Sequence, residues 1–191
     1  QRISSINSIG ALCEKTGADV KEVSKAIGMD KRIGSEFLNS GPGFGGSCFK
    51  KDILNLVYLC KYYGLLQVAE YWQKVLDLNC WQQSRISNII IDKLFGNLYE
   101  KKIAILGFAF KSNTNDTRES PAISICKDLL EEGAILYIND PKVTKKQIAI
   151  DLDIEATTFD KKITTKSLEG NWFFQTDISE GFNEADAVII L

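Results

Sequence analysis

Apolar residues in the first half of the chain recur every three or four positions, which is the spacing of one face of an α-helix. Ile3, Ile6 and Ile9 start this pattern, and glycines such as Gly17 stand where helices commonly end. The longest periodic stretch has about twice the average helix length. A helix of that length often forms a subunit or domain interface. The pattern predicts four helices, over residues 1–15, 19–28, 48–63 and 67–94.

The second half of the chain changes to strand-length apolar runs that alternate with helical stretches. The first run, Lys102–Phe110, is apolar on both faces, as strands of parallel sheets are. Ser120 and Pro121 form a good helix start, because serine caps a helix and proline fits its first turn. The predicted order is strand 102–110, helix 120–132, strand 134–138, helix 145–152, a polar surface insertion over 153–171, strand 173–176, helix 178–185 and a strand from 187.

These elements predict an α + α/β fold class. An all-helical domain covers residues 1–97, and a Rossmann-like, doubly wound parallel sheet covers residues 101–191. Both ends indicate an internal piece of a longer protein. Residue 1 is not Met, and the apolar run Ala187–Leu191 stops inside a predicted strand. We therefore expect the sheet of this chain to be incomplete.

Composition and charge narrow the classes of function. The 23 Lys and Arg residues and 25 Asp and Glu residues give a net charge of −2, so no basic face for nucleic acid is expected. No apolar stretch approaches the ~20 residues of a membrane span. Five cysteines without a CxxC pair and the absence of His exclude common zinc patterns and His-dependent nucleophiles. No metal site is predicted, and scattered cysteines without a signal peptide indicate a cytoplasmic protein.

The densest chemical signal is the loop Gly41–Gly46, which has four glycines in six residues and leads to Cys48. Such a loop lets backbone approach a sugar or phosphate closely. Cys48 stands at the predicted start of a helix, where the helix dipole favours negative charge. Lys51 and Asp52 follow at three and four residues, so all three side chains can meet over one spot. This set suits covalent acyl chemistry, whereas the alternative is a flexible turn beside a buried structural cysteine.

A second candidate segment is the turn from the first strand to the first helix of the predicted sheet. It lacks the GxGxxG pattern of a dinucleotide loop, although Lys111 and Arg118 flank it as possible phosphate contacts. Asp140 follows the second strand, where a ribose-binding acid would stand. The alternatives are a solvated loop with ordinary charges and a simple Asp-Pro turn. Arg32, in a predicted loop, would by itself be an ordinary surface charge.

The segments AIGMDKRIG, FLNSGPGFGGSCFKKD and KKIAILGFAFKSNTNDTRES resemble the nucleotide-sugar dehydrogenases. The resemblance covers about residues 1–152 and thins beyond them. GFGGSCFKKD is highly specific for this family. The Arg32 loop and the FLN segment favour its UDP-glucose branch over the GDP-mannose and N-acetyl-sugar branches.

The resemblance implies that the whole enzyme oxidises the C6 alcohol of UDP-glucose to the carboxylate of UDP-glucuronate, with two hydrides passing to NAD. Cys48 then corresponds to the nucleophile that forms a thiohemiacetal and a thioester, and Asp52 to the carboxylate that assists the water steps. Cys48, Lys51 and Arg118 correspond to cofactor contacts. The family's NAD-binding domain is expected before Gln1. The alternatives are a dehydrogenase of another nucleotide sugar or a non-catalytic, nucleotide-sugar-binding dimerisation module.

The resemblance also implies partners and substrate contacts. The helical domain is expected to dimerise, giving a homo-oligomer that is a dimer or a dimer-based hexamer, and the second domain is expected to bind UDP. Arg32 corresponds to an arginine that reaches into the neighbouring subunit's site. The implied substrate-binding residues are Arg32, Phe37, Leu38, Asn39, Ser40, Gly41, Pro42, Gly43, Phe44, Gly45, Phe110 and Lys111.

Overall fold

The computed structural model describes residues 1–157, 170–183 and 185–191. The chain forms two compact units, Gln1–Gln83 and Ser84–Leu191. The division falls inside the longest helix, which therefore belongs partly to each unit. The functional domain boundary predicted between residues 97 and 101 stays a prediction. No helix in the described part of the chain is both long enough and apolar enough to cross a membrane.

The first unit is helical, as predicted. Asp19 caps the second helix by accepting a hydrogen bond from the Lys21 N–H at 2.7 Å, and Cys48 occupies the N-cap position of the third. A small core of Phe44, Val75 and Leu76 packs beside them. The helices are α1 (Arg2–Thr16), α2 (Val20–Gly28), α3 (Phe49–Tyr62) and α4 (Leu66–Lys93), the last of which continues into the second unit.

The second unit is an α/β fold built on a parallel sheet, which confirms the predicted fold class. Among its described residues, four strands lie in the order β3-β2-β1-β4, with every neighbouring pair parallel. This order matches the first four strands of the doubly wound arrangement. The elements are β1 (Lys102–Leu106), α5 (Pro121–Glu131), β2 (Ile135–Asn139), α6 (Lys145–Leu152), β3 (Asn171–Phe174), α7 (Ile178–Phe182) and β4 (Ala187–Ile190).

The core of this unit lies between the sheet and its helices. Ile103 and Ile105 of β1 are fully buried, as are Leu136 of β2 and Trp172 of β3. The C-terminal part of α4 packs apolar side chains against the same core. Ser120 caps α5 as predicted, accepting a hydrogen bond from the Ala122 N–H at 3.3 Å.

Several predicted boundaries were wrong. Strand β1 ends at Leu106 rather than Phe110. The Gly107 N–H still donates to the Asn139 carbonyl of β2, but the N–H groups of Phe108 and Ala109 donate to the Asp140 carboxylate instead of to a strand. Strand β3 begins at Asn171, earlier than predicted, and α7 ends at Phe182. Most of the predicted surface insertion over 153–171 lies outside the described residues.

Candidate active site

Side-chain amides of two helices hold the backbone of the glycine loop. The Gly41 N–H donates to Asn7 Oδ1 at 2.9 Å, and its carbonyl accepts from Gln82 Nε2 at 2.8 Å. The Phe44 N–H donates to Asn79 Oδ1 at 2.8 Å, and its carbonyl accepts from Asn79 Nδ2 at 3.1 Å. Asn7, Asn79 and Gln82 are buried. The segment is therefore fixed at both ends, unlike the flexible turn of the alternative interpretation.

Gly43 lies between the two fixed positions, and only glycine suits it. Its φ angle is +125°, a conformation that side-chain-bearing residues rarely adopt. A Cβ at this position would stand 2.8 Å from Asn79 Oδ1. The loop therefore approaches α4 as closely as the Asn79 hydrogen bonds require.

Cys48 is exposed at the N-cap of α3, which contradicts the alternative of a buried structural cysteine. Its Sγ lies 3.6 Å from Ser47 Oγ. Lys51 Nζ stands 3.9 Å from Asp52 Oδ1, and both side chains are largely exposed. In the part of the chain that the structure describes, neither side chain is hydrogen-bonded to the thiol. The structure thus places the three groups on the first turn of one helix and pairs the cation with the carboxylate.

An apolar cavity of about 430 Å³ opens beside this helix start. The Phe49 ring meets the rings of Phe44 and Phe37 edge-on, with centroid separations of 5.9 and 6.5 Å. Asp52 brings a carboxylate to this mostly aromatic and aliphatic wall. Sequence analysis did not single out Phe49. The lining comprises Gln1, Arg2, Ile3, Phe37, Phe44, Phe49, Asp52, Ile53, Leu56 and Trp72.

The residues at positions 37–40, just before the glycine loop, differ in how exposed their side chains are. Phe37 is exposed and has a φ of 60°, which is uncommon for a bulky residue and indicates local strain. Leu38 is buried, and its carbonyl accepts a hydrogen bond from Ser24 Oγ. Asn39 and Ser40 are exposed, and Ser40 Oγ lies 3.2 Å from Asn7 Oδ1. Phe37 and Asn39 are thus the accessible side chains of the FLN segment.

Arg32 projects from the loop after α2 with a side chain that is 90% exposed. The Asp30 carboxylate holds it: Nε is 3.0 Å from Oδ1, and a terminal guanidinium nitrogen is 2.6 Å from Oδ2. The same Oδ1 accepts the Arg32 backbone N–H at 2.9 Å. These hydrogen bonds from Arg32 lower the pKa of Asp30 below its ordinary value.

The second unit repeats this arrangement at Arg118. Its Nε lies 2.9 Å from Asp116 Oδ1 and a terminal nitrogen 2.6 Å from Oδ2, while its backbone N–H donates to Oδ1 at 3.0 Å. The hydrogen bonds from Arg118 lower the pKa of Asp116 to about 2. The Phe110 N–H donates to the Asp116 carbonyl at 3.0 Å, and Lys111 Nζ lies 5.2 Å from the Phe110 ring centroid. Phe110, Lys111 and Arg118 therefore lie in one loop that is closed by the hydrogen bond from Phe110 to Asp116.

The Asp140 carboxylate holds a tight turn together by accepting four backbone hydrogen bonds. Its Oδ2 accepts from the N–H groups of Phe108 and Ala109 at 2.8 and 3.2 Å, and its Oδ1 from those of Lys142 and Val143 at 2.7 and 2.8 Å. Burial tends to raise the pKa of Asp140, but these four donors outweigh it and the pKa lies below its ordinary value. The Asp-Pro turn interpretation therefore describes this residue better than a ribose contact.

The described residues offer neither a metal site nor a dinucleotide site of the usual kind. No group of three or more Cys, Asp or Glu side chains there is placed to hold a metal ion. The Phe108 and Ala109 amides of the β1–α5 turn are occupied by Asp140, and the turn lacks the glycines that let a pyrophosphate approach. The described residues thus form no dinucleotide cradle of that kind.

Comparison with known proteins identifies the family. Residues 1–81 match the family model of the UDP-glucose/GDP-mannose dehydrogenase family, central domain. Residues 104–191 match the model of the same family's UDP binding domain. The two matches together span most of the chain. The chain belongs to the UDP-glucose/GDP-mannose dehydrogenase family.

Individual relatives agree with this assignment. The chain is 59% identical over 164 residues to UDP-glucose 6-dehydrogenase of Mus musculus, covering 86% of this chain and 33% of that protein. It is 50% identical over 199 residues to UDP-glucose 6-dehydrogenase 4 of Arabidopsis thaliana, covering 100% and 41%. A solved UDP-glucose dehydrogenase from the archaeon Pyrobaculum islandicum has a TM-score of 0.79 and 30% identity, covering 99% of this chain and 39% of that chain. The chain thus spans well under half the length of each.

Proposed function

We propose that this chain is the central part of an enzyme that oxidises UDP-glucose to UDP-glucuronate with NAD, through covalent intermediates on Cys48. The observation that carries the proposal is the exposed Cys48 thiol at the start of α3, directly after a glycine loop held by buried amides. The names of the relatives support UDP-glucose as the substrate. A cytoplasmic location stays a prediction.

The proposed chemistry requires one nucleophile and one group that handles water. After the first oxidation, Cys48 Sγ bonds to the C6 aldehyde carbon and the aldehyde oxygen takes a proton, giving a thiohemiacetal. Loss of a hydride and that proton gives the thioester. Water then attacks the thioester, the C–S bond breaks, and the products are the carboxylate and the free thiol. Asp52, one helical turn beyond Cys48, takes the proton of the attacking water.

NAD enters this proposal as the acceptor of the two hydrides. The fit of these residues is limited: Lys51 is an exposed cation one turn after Cys48, and Arg118 is an exposed cation already oriented by Asp116. Each cation, within its own unit, suits binding of a phosphate group. Because the described residues form no dinucleotide cradle, we propose that the cradle belongs to another part of the whole enzyme. The isolated chain should therefore not turn over UDP-glucose.

The other proposed substrate contacts are side chains that are at least partly exposed and therefore within reach of a ligand. Phe37 and Asn39, just before the glycine loop, are exposed to a ligand. In the second unit, Lys111 Nζ lies over the Phe110 ring in a cation–π contact. We propose each pair, within its own unit, as a contact for the nucleotide sugar. The Arg32 side chain is 90% exposed and paired with Asp30, which suits contact with a neighbouring subunit. A homo-oligomer, as a dimer or a dimer-based hexamer, stays part of the proposal.

A substrate panel tests this function. The whole protein is mixed with NAD and either UDP-glucose, GDP-mannose or a UDP-N-acetyl sugar, and NADH absorbance and the sugar acid are followed. We expect two NADH for each UDP-glucose and little response to the other sugars. A preference for another sugar would support the sister activity. UDP-glucose binding without any NADH would support the non-catalytic module.

A further inference from the structure

We infer that Asn7, Asn79 and Gln82 are positioning residues, together named the amide clamp, that fix the glycine loop so that a sugar meets Cys48 in one geometry. The inference rests on the proposed function for its catalytic consequence. Its structural basis is independent of that function. The clamp residues come from α1 and α4, far in sequence from the loop they hold.

The first argument is that the clamp side chains satisfy the backbone hydrogen-bonding groups of two loop residues. Both hydrogen-bonding groups of Gly41 and both of Phe44 bond to clamp side chains at 2.8 to 3.1 Å. The clamp residues are 1, 8 and 2% exposed, respectively. Buried polar groups that lose their partners are costly, so the loop cannot leave the clamp without exposing or stranding several of them. The loop geometry therefore depends on these three side chains.

The second argument is that the clamp stands on a rigid frame. Buried Ser4 of α1 donates to the Val75 carbonyl of α4 at 3.0 Å, which joins the two helices that supply the clamp. Side chains supported by packed helices hold a site more accurately than loops do. Gly43 then serves close approach rather than flexibility, because a Cβ at this position would stand 2.8 Å from Asn79 Oδ1.

The third argument connects the clamp to the thiol. The Phe44 ring packs edge-on against Phe49, which immediately follows Cys48. A shift of Phe44 would therefore displace Phe49, the residue next to the nucleophile Cys48. A displacement of about 1 Å can lower a rate by about 10²-fold. We accordingly expect loss of the clamp to lower kcat more than it raises KM.

Hydrogen exchange on the whole protein tests the structural half of the inference. Asn79→Leu removes both hydrogen bonds to Phe44 at similar side-chain volume, and Asn88→Leu makes the same change at an exposed position of α4. We expect the Phe44 amide to lose at least ~10-fold of its protection in Asn79→Leu only. Asn79→Asp keeps an acceptor for the Phe44 N–H and should retain part of the protection. Unchanged protection of Phe44 in Asn79→Leu would overturn the clamp.

Kinetics of the whole protein test the catalytic half. We expect kcat for UDP-glucose oxidation to fall about 10²-fold in Asn79→Leu, with a smaller change in KM, partial recovery in Asn79→Asp, and normal rates in Asn88→Leu. If Asn79→Leu does not fold, Asn79→Asp and Gln82→Glu carry the same comparison. Lost protection with normal kcat would overturn positioning and leave the proposed function standing. An inactive wild-type protein with a protected Phe44 amide would overturn the proposed function alone.

Discussion

The Asp140 carboxylate accepts the backbone N–H of Phe108 at 2.8 Å and thereby joins the end of β2 to the end of β1. In a dinucleotide-binding domain, the glycine-rich turn after the first strand lets a pyrophosphate approach its backbone. Here a carboxylate of the protein itself accepts hydrogen bonds from the second and third amides of that turn, those of Phe108 and Ala109. The second unit therefore shares the strand order of such domains, while its described residues form no cofactor cradle of that kind.

Asp140→Asn should destabilise the second unit by about 1–3 kcal/mol, the cost of leaving buried groups unpaired. The asparagine keeps one acceptor oxygen but presents an NH₂ group to two of the four N–H donors that Asp140 now receives. Denaturant unfolding measures the change. Asp92→Asn, at an exposed position of α4, is the control, and equal stability of both variants would contradict the role of Asp140.

The Asp116 carboxyl should titrate near pH 2 in the folded protein. Its pKa is lowered from an ordinary value of 3.8 to about 2 by hydrogen bonds from Arg118. Because the folded pKa is the lower one, the stabilisation by this pair is present above about pH 4 and is lost as the pH falls through about 2. Carboxyl NMR titration should show the pKa returning towards 3.8 in Arg118→Gln and not in Lys93→Gln. An ordinary Asp116 pKa in the wild-type chain would contradict this pairing.

Native thiol labelling should divide the five cysteines into two groups. Cys48 and Cys80 are exposed, whereas Cys13, Cys60 and Cys126 are buried. Burial also raises the pKa of the Cys126 thiol, which disfavours the reactive thiolate. A brief pulse of iodoacetamide followed by peptide mass spectrometry should modify Cys48 and Cys80 first. Equal labelling of Cys126 without denaturant would show that the core of the second unit opens.

Asp52→Asn should slow turnover of the whole protein by about 10²-fold or more, the scale of general-base loss. The water step would then lag behind oxidation, so the thioester on Cys48 should accumulate and appear as a mass adduct. Glu70→Gln, an exposed change on α4, serves as control. Normal rates and no adduct in Asp52→Asn would remove Asp52 from the proposed water step.

Much of the fold follows from short-range patterns. The caps at Asp19 and Ser120 lie where polar side chains precede periodic apolar residues, and α6 has the predicted bounds. The end of β1 was missed because the run Lys102–Phe110 stays apolar beyond Leu106. Only a long-range contact, from Asp140, turns the backbone away there. The strand preferences of the individual residues do not reveal a partner so distant in sequence.

The sequence likewise predicts one part of the candidate site and not the other. Cys48, Asp52 and the glycine loop are adjacent in sequence, so motif and spacing were enough to single them out. Asn7, Asn79 and Gln82 lie 34, 35 and 41 residues from the loop residues they bind. Their one signal in the sequence is a polar amide within a helical stretch. That signal alone does not distinguish a buried partner from a solvated side chain, and so these residues became evident only in the folded structure.

The most direct test of the account is the output of Cys48→Ser in the whole protein. The variant and the wild type are supplied with UDP-glucose and NAD, and UDP-glucuronate is quantified by mass spectrometry alongside UDP-glucose binding by calorimetry. Because serine lacks the thiol that forms the proposed thiohemiacetal and thioester, we predict that the variant binds UDP-glucose but makes no acid. Acid formation at the wild-type rate by Cys48→Ser would contradict the proposed covalent role of Cys48.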